Sequence, residues 1–342
     1  MRFQAGPTNL LTDIAGLRVG QADDDRLKSG VTAVICDEPA VGAVHVMGGA
    51  PGTRETDLLE PHNAVGQIHA LVLSGGSAFG LDAASGVQAW LREQGVGLAV
   101  RGISIPIVPA AILFDMTNGG DKDWGKFPPY RELGYAAANN ARREFGLGTH
   151  GAAKGALTAG LKGGLGSASA VLPSGVTVAA LVAVNAVGST TMGDSPHFWA
   201  APFEIGDEFG GLGLPAVLPQ GAVDVRLKFR DGNAAGANTT LGVIATDAAL
   251  SKADAKRLAM AAHDGFARAI WPSHTPADGD LVFALATGTS GKQPSFEEAI
   301  DLCAVAGSVM ARAIARGVHA AVAETGDIMP VWAERAAAAE RR

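Results

Sequence analysis

The chain downstream of residue 240 constrains the fold more than any other part of the sequence. Residues 241–246 and 281–286 are short apolar runs bounded by turn-forming residues, which reads as strand. Between and after them, residues 251–270 and 295–319 carry a helical period: Leu258, Ala262, Phe266 and Ile270 form one i, i+4 stripe, and Leu302, Ala306, Met310 and Ile314 another. Each helix also announces its start. Ser251 with Asp254, and Ser295 with Glu298, set a hydroxyl three residues before an acid, the spacing that satisfies the orphan amides of a first turn. Strand, helix, strand, helix in this order predicts helices packed on paired sheets.

Upstream, residues 33–36, 43–47, 70–73 and 97–100 read as short strands between Gly, Pro and Asp punctuation. Residues 79–92 predict a helix with Phe79, Ala83, Val87, Trp90 and Leu91 on its buried face. A second helix is expected over 131–145, with Leu133, Ala136, Ala137 and Ala141 inward. Two strands follow at 168–172 and 176–184. The Gly/Pro-rich stretch 193–221 is where active-site loops are expected, and the tail 334–342 reads as a frayed helix end.

Composition excludes several classes of function. With 342 residues, 47% of them apolar, and 46 glycines, the chain can bury a substantial core and bring backbones close together. A formal charge of −7 without a basic stripe argues against a nucleic-acid partner. Cys36 and Cys303 are far apart and lack metal-ligand spacing, so no disulfide framework, zinc site or other cofactor is expected, and Cys303 reads as core. No apolar run is long enough to cross a bilayer, since 171–187 is broken by Pro173, Ser174, Gly175 and Asn185. The first eleven residues lack the pattern of a secretory signal, which makes the cytoplasm the expected compartment. The eight histidines show no ligand pairing and read as structural or solvent-facing.

Gly75-Gly76-Ser77-Ala78-Phe79-Gly80 follows a strand and opens a helix, but departs from the dinucleotide fingerprint and lacks the acid expected further on. It reads as a tight turn that sets backbone amides near a substrate. Asn238-Thr239-Thr240, after a Gly/Ala-rich stretch containing Gly232 and Gly236, reads as a loop feeding a strand whose first residues carry hydroxyls. An ordinary turn-to-strand junction has the same composition, as does a glycosylation sequon. A cut between Asn238 and Thr239 would leave Thr239 with a free α-amine beside its own Oγ, a base and a nucleophile on one residue.

Four motifs occur in order: Gly48-Gly49-Ala50-Pro51-Gly52-Thr53-Arg54-Glu55-Thr56-Asp57, Ser74-Gly75-Gly76-Ser77-Ala78-Phe79-Gly80-Leu81, Lys162-Gly163-Gly164-Leu165-Gly166-Ser167 and Asn238-Thr239-Thr240. Together they resemble the DmpA-type peptidase family, which includes L-aminopeptidase/D-esterases, β-peptidyl aminopeptidases and nylon-oligomer hydrolases. The resemblance runs from about residue 11 to 329. It implies a single α/β domain, a four-layer αββα sandwich resembling the N-terminal-nucleophile hydrolases, that cuts itself between Asn238 and Thr239 into fragments 1–238 and 239–342. It implies Thr239 as nucleophile, Asn185 as a donor to the oxyanion, Asp278 and Asp280 as acids orienting the nucleophile, and Lys162, with Lys154 as its rival, as the lysine beside it. Relatives assemble as tetramers or larger, so a homo-oligomer is expected.

Two departures bear on substrate. Where aminopeptidase members carry a tyrosine before the acid of the segment matching Ile112-Leu113-Phe114-Asp115, this chain has Phe114. The acid that grips a free substrate amine in some relatives corresponds to Ala110. Phe114 and Phe79 are candidates for an apolar substrate pocket. The expected activity is hydrolysis of a small amide or peptide, with acyl transfer of the ornithine acetyltransferase type, or an uncleaved non-enzymatic relative, as alternatives.

Overall fold

The computed structural model describes residues 3–228, 230 and 238–341; Met1, Gly232, Gly236 and Arg342 lie outside them. Three cores stack between four layers, and strand alternation generates them. In β11 (Thr177–Val184), Val178, Ala180, Val182 and Val184 face one core while Ala179, Leu181 and Ala183 face the next. The same split divides β12 (Leu241–Thr246) and β13 (Leu281–Ala286): Ile244, Val282 and Ala284 point outward, Leu241, Val243, Ala245, Leu281, Phe283 and Leu285 inward. These strands are buried on both faces, which is why their sequences are apolar throughout.

The outward side is covered by α3 (Lys252–Ala269) and α4 (Phe296–His319). The inward side packs on a second set of strands: β1 (Leu17–Asp24), β2 (Ser29–Val46), β4 (Gln67–Ser74) and β7 (Ala110–Ile112), with the two-residue β3 (Thr53–Arg54) at its edge. Here Val34, Leu71 and Leu73 meet the middle core, and Val31, Ala33, Ile35, Ala70 and Val72 meet an outer core closed by α1 (Ala83–Glu93) and α2 (Tyr130–Asn139). The order is helices, sheet, sheet, helices: the αββα sandwich expected.

The two sheets share one strand. β2 runs 18 residues; its first half pairs with β1 and β4, and its second half, Val41 to Val46, pairs antiparallel with β13. An irregularity between Ile35 and Ala40, at the exposed Asp37, Glu38 and Pro39, carries the chain from one sheet to the other. The runs 33–36 and 43–47 are therefore one bent strand, and the sequence reads as two because polar residues interrupt it. Along the other direction β10 (Gly164–Val171) pairs with β11, β11 with β12, all antiparallel, and β12 with β13 in parallel. Two small hairpins, β5 (Leu98–Val100) with β6 (Ile103–Ile105) and β8 (Leu157–Thr158) with β9 (Leu161–Lys162), stand apart.

Both predicted caps form. Ser251 accepts from the Asp254 amide, and Ser295 with Glu298 makes the reciprocal pair. The helix expected over 131–145 stops at Asn139. The segment 79–92 opens as a 3-10 turn, Ser77–Asp82, that leaves Phe79 half exposed against Trp124 rather than in the core. The tail is a packed helix, α5 (Trp332–Glu340), whose Trp332 stacks on Phe198 and whose Arg335 reaches Thr191 and the Gly160 carbonyl. Cys36 and Cys303 are both free thiols, the second half-buried rather than core. Among the described residues no helix is long and apolar enough to cross a membrane.

Phe283 sits at the centre of the sheet-on-sheet core with no exposure. Phe283→Ala is expected to cost about 3–5 kcal/mol, read as a lowered urea midpoint at unchanged slope; a loss below about 1 kcal/mol would contradict this core.

Candidate active site

The parallel pairing of β12 with β13 builds the site. Leu241 is level with Leu281, and the pairing continues past the strand ends through a bridge between Asn238 and Asp278. Asn238-Thr239-Thr240 therefore runs alongside Asp278-Gly279-Asp280. The Asn238 amide donates to the Ala277 carbonyl at 3.1 Å, the Gly279 amide donates to the Asn238 carbonyl at 2.6 Å, and the Thr240 amide donates to Asp280 Oδ1 at 2.7 Å. Thr239 is buried, its Oγ1 donates to the Asn238 carbonyl oxygen at 2.7 Å, and its amide donates to the Asn185 carbonyl at 3.1 Å.

Glycine at 279 is a steric requirement. A Cβ there would lie 2.5 Å from Thr239 Oγ1, so only a hydrogen leaves the hydroxyl in place. The first motif braces the same segment from behind: the Met47 and Gly48 amides donate to the Asp280 carbonyl and the Ala50 amide to the Asp278 carbonyl, and a Cβ on Gly48 would strike the Asp278 carbonyl.

Asn185, just past β11, is the second hub. Its Oδ1 accepts from the Leu157 amide and from Lys228 Nζ, each at 3.0 Å, and its Nδ2 donates to the Phe114 carbonyl at 2.9 Å. Two donors and one acceptor around the amide settle which atom is oxygen. In the continuous chain its Nδ2 is thus turned to Phe114. Lys228 carries no signal of its own in the sequence, where it stands between Arg226 and Arg230 as one basic residue among several. It is buried, donates to the Leu157 and Asn185 carbonyls, and shares the latter acceptor with the Thr239 amide. Burial pushes its pKa down to about 7, against the opposing pull of Asp278, Asp115 and Asp280.

The two acids are held differently. Asp278 accepts from the Thr275 amide and hydroxyl, each at 2.8 Å, and from the Val187 amide at 3.3 Å. Its pKa is pushed up to about 6, by burial first and the neighbouring Asp280 second, against those hydrogen bonds. Asp280 accepts from Thr240 on one oxygen and, on the other, from the His274 amide at 3.2 Å, with His274 Nδ1 at 3.0 Å.

Other expected residues stand elsewhere. Lys162 Nζ pairs with Glu324 at 3.1 Å and Asp327 at 2.7 Å, and Lys154 pairs with Asp25 and Glu324, so both lysines hold the turn after α4. Phe114 approaches the site through its carbonyl, whereas the contacts of Phe79 run to Trp124. Ala110 is buried in the core under α1 and α2. The amides of residues 75–77 are taken by the Gly30 carbonyl, Asp115 and the Leu113 carbonyl, which leaves none of the three turned to a substrate. The stretch 193–221 lies over α4 and α5, through Glu208 on Arg312 and Pro196 on Trp332. Two histidines read as structural, His263 and His274, line up behind Asp280. Among the described residues no group of three or more His, Cys, Asp or Glu side chains is placed to hold a metal ion.

Chemically, the Asn238 carbonyl oxygen sits between two donors, one of them the hydroxyl of the next residue, and a lysine of lowered pKa shares the Asn185 backbone carbonyl with the Thr239 amide. That arrangement polarises one peptide carbonyl beside a hydroxyl, the combination that acyl chemistry at a hydroxyl requires.

The sequence matches the description of peptidase family S58 over residues 9–328. It is 43% identical over 328 residues to an "uncharacterized aminopeptidase" of Mycobacterium tuberculosis, spanning 92% of this chain and 93% of that one. It is 27% identical over 299 residues to the 6-aminohexanoate-oligomer endohydrolase of Kocuria sp., spanning 82% of this chain and 76% of that one. Among solved structures, the L-aminopeptidase D-Ala-esterase/amidase of Ochrobactrum anthropi, described as a variant of the Ntn hydrolase fold, superposes with a TM-score of 0.71 at 22% identity, over 100% of this chain and 96% of that one. The four motifs, the four-layer fold and this match agree, and the chain belongs to peptidase family S58, a family of peptide hydrolases.

Proposed function

We propose that this chain severs its own backbone between Asn238 and Thr239 and then hydrolyses small amides or peptides through an acyl-enzyme on Thr239. The observation that carries the reading is the contact of Thr239 Oγ1 with the Asn238 carbonyl oxygen at 2.7 Å, with the Gly279 amide on the same oxygen at 2.6 Å. Oγ1 attacks the Asn238 carbonyl carbon, and its proton passes to the Thr239 nitrogen as that nitrogen leaves. Negative charge develops on the carbonyl oxygen, where the Gly279 N–H stabilises it. The C–N bond breaks, the Thr239 nitrogen takes that proton, and the resulting ester is hydrolysed by water to free the Asn238 carboxyl. In turnover the α-amine of Thr239 accepts the proton from its own Oγ, and the substrate acyl group takes the place of Asn238.

Lys228 has a part in this scheme. It fixes Asn185 through Nζ, which donates to the Leu157 and Asn185 carbonyls and to Asn185 Oδ1, and burial, which lowers its pKa to about 7, makes its charge respond to pH near neutrality. Asp278 and Asp280 orient the segment that holds the nucleophile. On substrate, relatives named as an aminopeptidase and as a 6-aminohexanoate-oligomer endohydrolase both support amide bonds. Ala110 provides no acid to grip a free amine, so the reading favours small or internal amides over strict removal of terminal residues. Assembly as a homo-oligomer belongs to the same reading; the β5–β6 hairpin exposes Leu98, Val100, Ile103 and Ile105, an apolar strip suited to contact between copies.

Denaturing mass spectrometry tests the cut: two fragments are expected, the second beginning at Thr239, while Thr239→Ala stays intact and loses amide hydrolysis. An intact, fully active wild-type chain would overturn the proposal, and transfer of the acyl group to an added amine in preference to water would redirect it to acyl transfer. Gly279→Ala is expected to slow fragment formation about 100-fold by displacing Oγ1, followed by gel densitometry after synthesis. Lys228 provides a pH signature. Its native pKa lies below its unfolded value of 10.5, so between about 7 and 10.5 the unfolded chain binds more protons and stability rises with pH. Lys228→Met is expected to flatten that rise, read as the change in urea midpoint between pH of about 7 and about 9.5.

A further inference from the structure

Behind Asp280 lies a row of imidazoles that the scheme above does not use. His274 Nδ1 is 3.0 Å from Asp280 Oδ2, and its Nε2 is 3.3 Å from Nδ1 of His263 on α3, whose Nε2 is 3.1 Å from the His45 carbonyl on β2. His263 is buried, and the His274 ring stacks on Phe266 at 5.1 Å. His274 also holds a backbone φ of 55°, which glycine adopts at far lower cost, so a side chain is kept there against strain.

The partners fix the protons. A carbonyl only accepts, so His263 Nε2 carries its hydrogen. Burial pushes the His263 ring down to about 3, so it is neutral and its Nδ1 is an acceptor. His274 Nε2 must then carry a hydrogen toward it. His274 Nδ1 faces a carboxylate oxygen that already accepts the His274 amide, and two acceptors cannot share that 3.0 Å contact without a proton between them. The row therefore holds one proton more than neutral imidazoles and an ionised Asp280 would carry, and an imidazolium at His274 against an Asp280 carboxylate accommodates it.

We propose that His274, protonated and oriented by neutral His263, is a positioning residue: it holds Asp280 where it binds the Thr240 amide, and its charge lets Asp278 and Asp280 ionise together beside Thr239. The charged and titratable groups around it are Asp280 and Asp278 from its own segment, His263 from α3 and His45 from β2, with the Lys256–Glu60 ion pair beyond His45, and Lys228, held at Asn185, acts on the same two carboxyls. Without the imidazolium the two carboxyls repel more strongly, and their shared proton leaves at higher pH.

The proposal rests on Thr239 being the nucleophile, and the test separates the two. In active protein labelled with 15N-histidine, the ring nitrogens of His274 are expected at imidazolium shifts and those of His263 at the shifts of a neutral Nε2–H tautomer; a neutral His274 signature would overturn the proposal. His274→Gln keeps a donor toward Asp280 without the charge. It is expected to lower kcat roughly 10- to 100-fold with KM little changed, as for other partners that orient a reacting group. The acid limb of its pH–rate profile is expected to move up by about one pH unit. A correctly folded His274→Gln variant with wild-type kcat and pH profile, beside an inactive Thr239→Ala, would sink this inference alone; activity retained in Thr239→Ala would sink the nucleophile with it.

Discussion

The parallel alignment of β12 with β13 is the constraint from which the site follows. A parallel ladder with Leu241 opposite Leu281 leaves no freedom in what lies opposite the residues just upstream: Asn238 meets Asp278, and Thr239 runs beside Gly279. A slip by one residue would send every inward side chain of β12 outward and break the middle core. The apolar packing of Val243, Ala245, Phe283 and Leu285, far from any chemistry, is thus what sets a hydroxyl against a carbonyl and an amide to within hydrogen-bond distance. Parallel strands need a crossover, and α3, capped at Ser251, supplies it.

The parts of this architecture that local chemistry specifies were legible in the sequence. β12, β13, α3 and α4 stood out because each has an unbroken apolar run or a capped stripe, and the motifs around Gly48 and Asn238 pointed to the family. Features specified by distant partners were not. β2 reads as two strands because Asp37, Glu38 and Pro39 interrupt it, although the backbone continues through them. Phe79 fits a helical stripe by spacing, but the left-handed Gly76 and Ser77 open a 3-10 turn that rotates it outward. Lys162 sits in a family motif, yet two acids more than 160 residues away capture its ammonium. Lys228, His263 and His274 carry no local signal because their roles are set by where the folded backbone brings Asn185 and Asp280.

Burial gives these groups their chemistry and also limits how they can be charged. Thr239, Asn185, Asp278, Asp280 and Lys228 are each less than a tenth exposed. Two carboxyls and a lysine so placed cannot all take their solution charges without compensation, and the site answers with hydrogen bonds: three donors on Asp278, two backbone amides and an imidazole on Asp280, and three acceptor contacts for Lys228. The Lys28, Lys154 and Lys162 cluster with Asp25, Glu324 and Asp327 solves a similar problem separately, tying the turn after α4 to the body of the fold.

Under the proposed scheme, the backbone cut and the later turnover make the same geometric demand on this pocket. Before the proposed cut, the Gly279 amide is occupied by the Asn238 carbonyl oxygen, and Thr239 Oγ1 donates to the oxygen of the carbonyl it would attack. Once Asn238 is released, that donor is free to receive a substrate carbonyl in the same position relative to Oγ1. A donor placed by the backbone of a residue just before an interior strand, fixed by the Gly48 brace, costs no reorganisation in either reaction. Asn185 differs: one N–H of its side-chain amide is held by the Phe114 carbonyl, and the second N–H of the same amide is the donor an oxyanion would use. The proposed scheme thus draws on a backbone donor at Gly279 and a side-chain donor at Asn185.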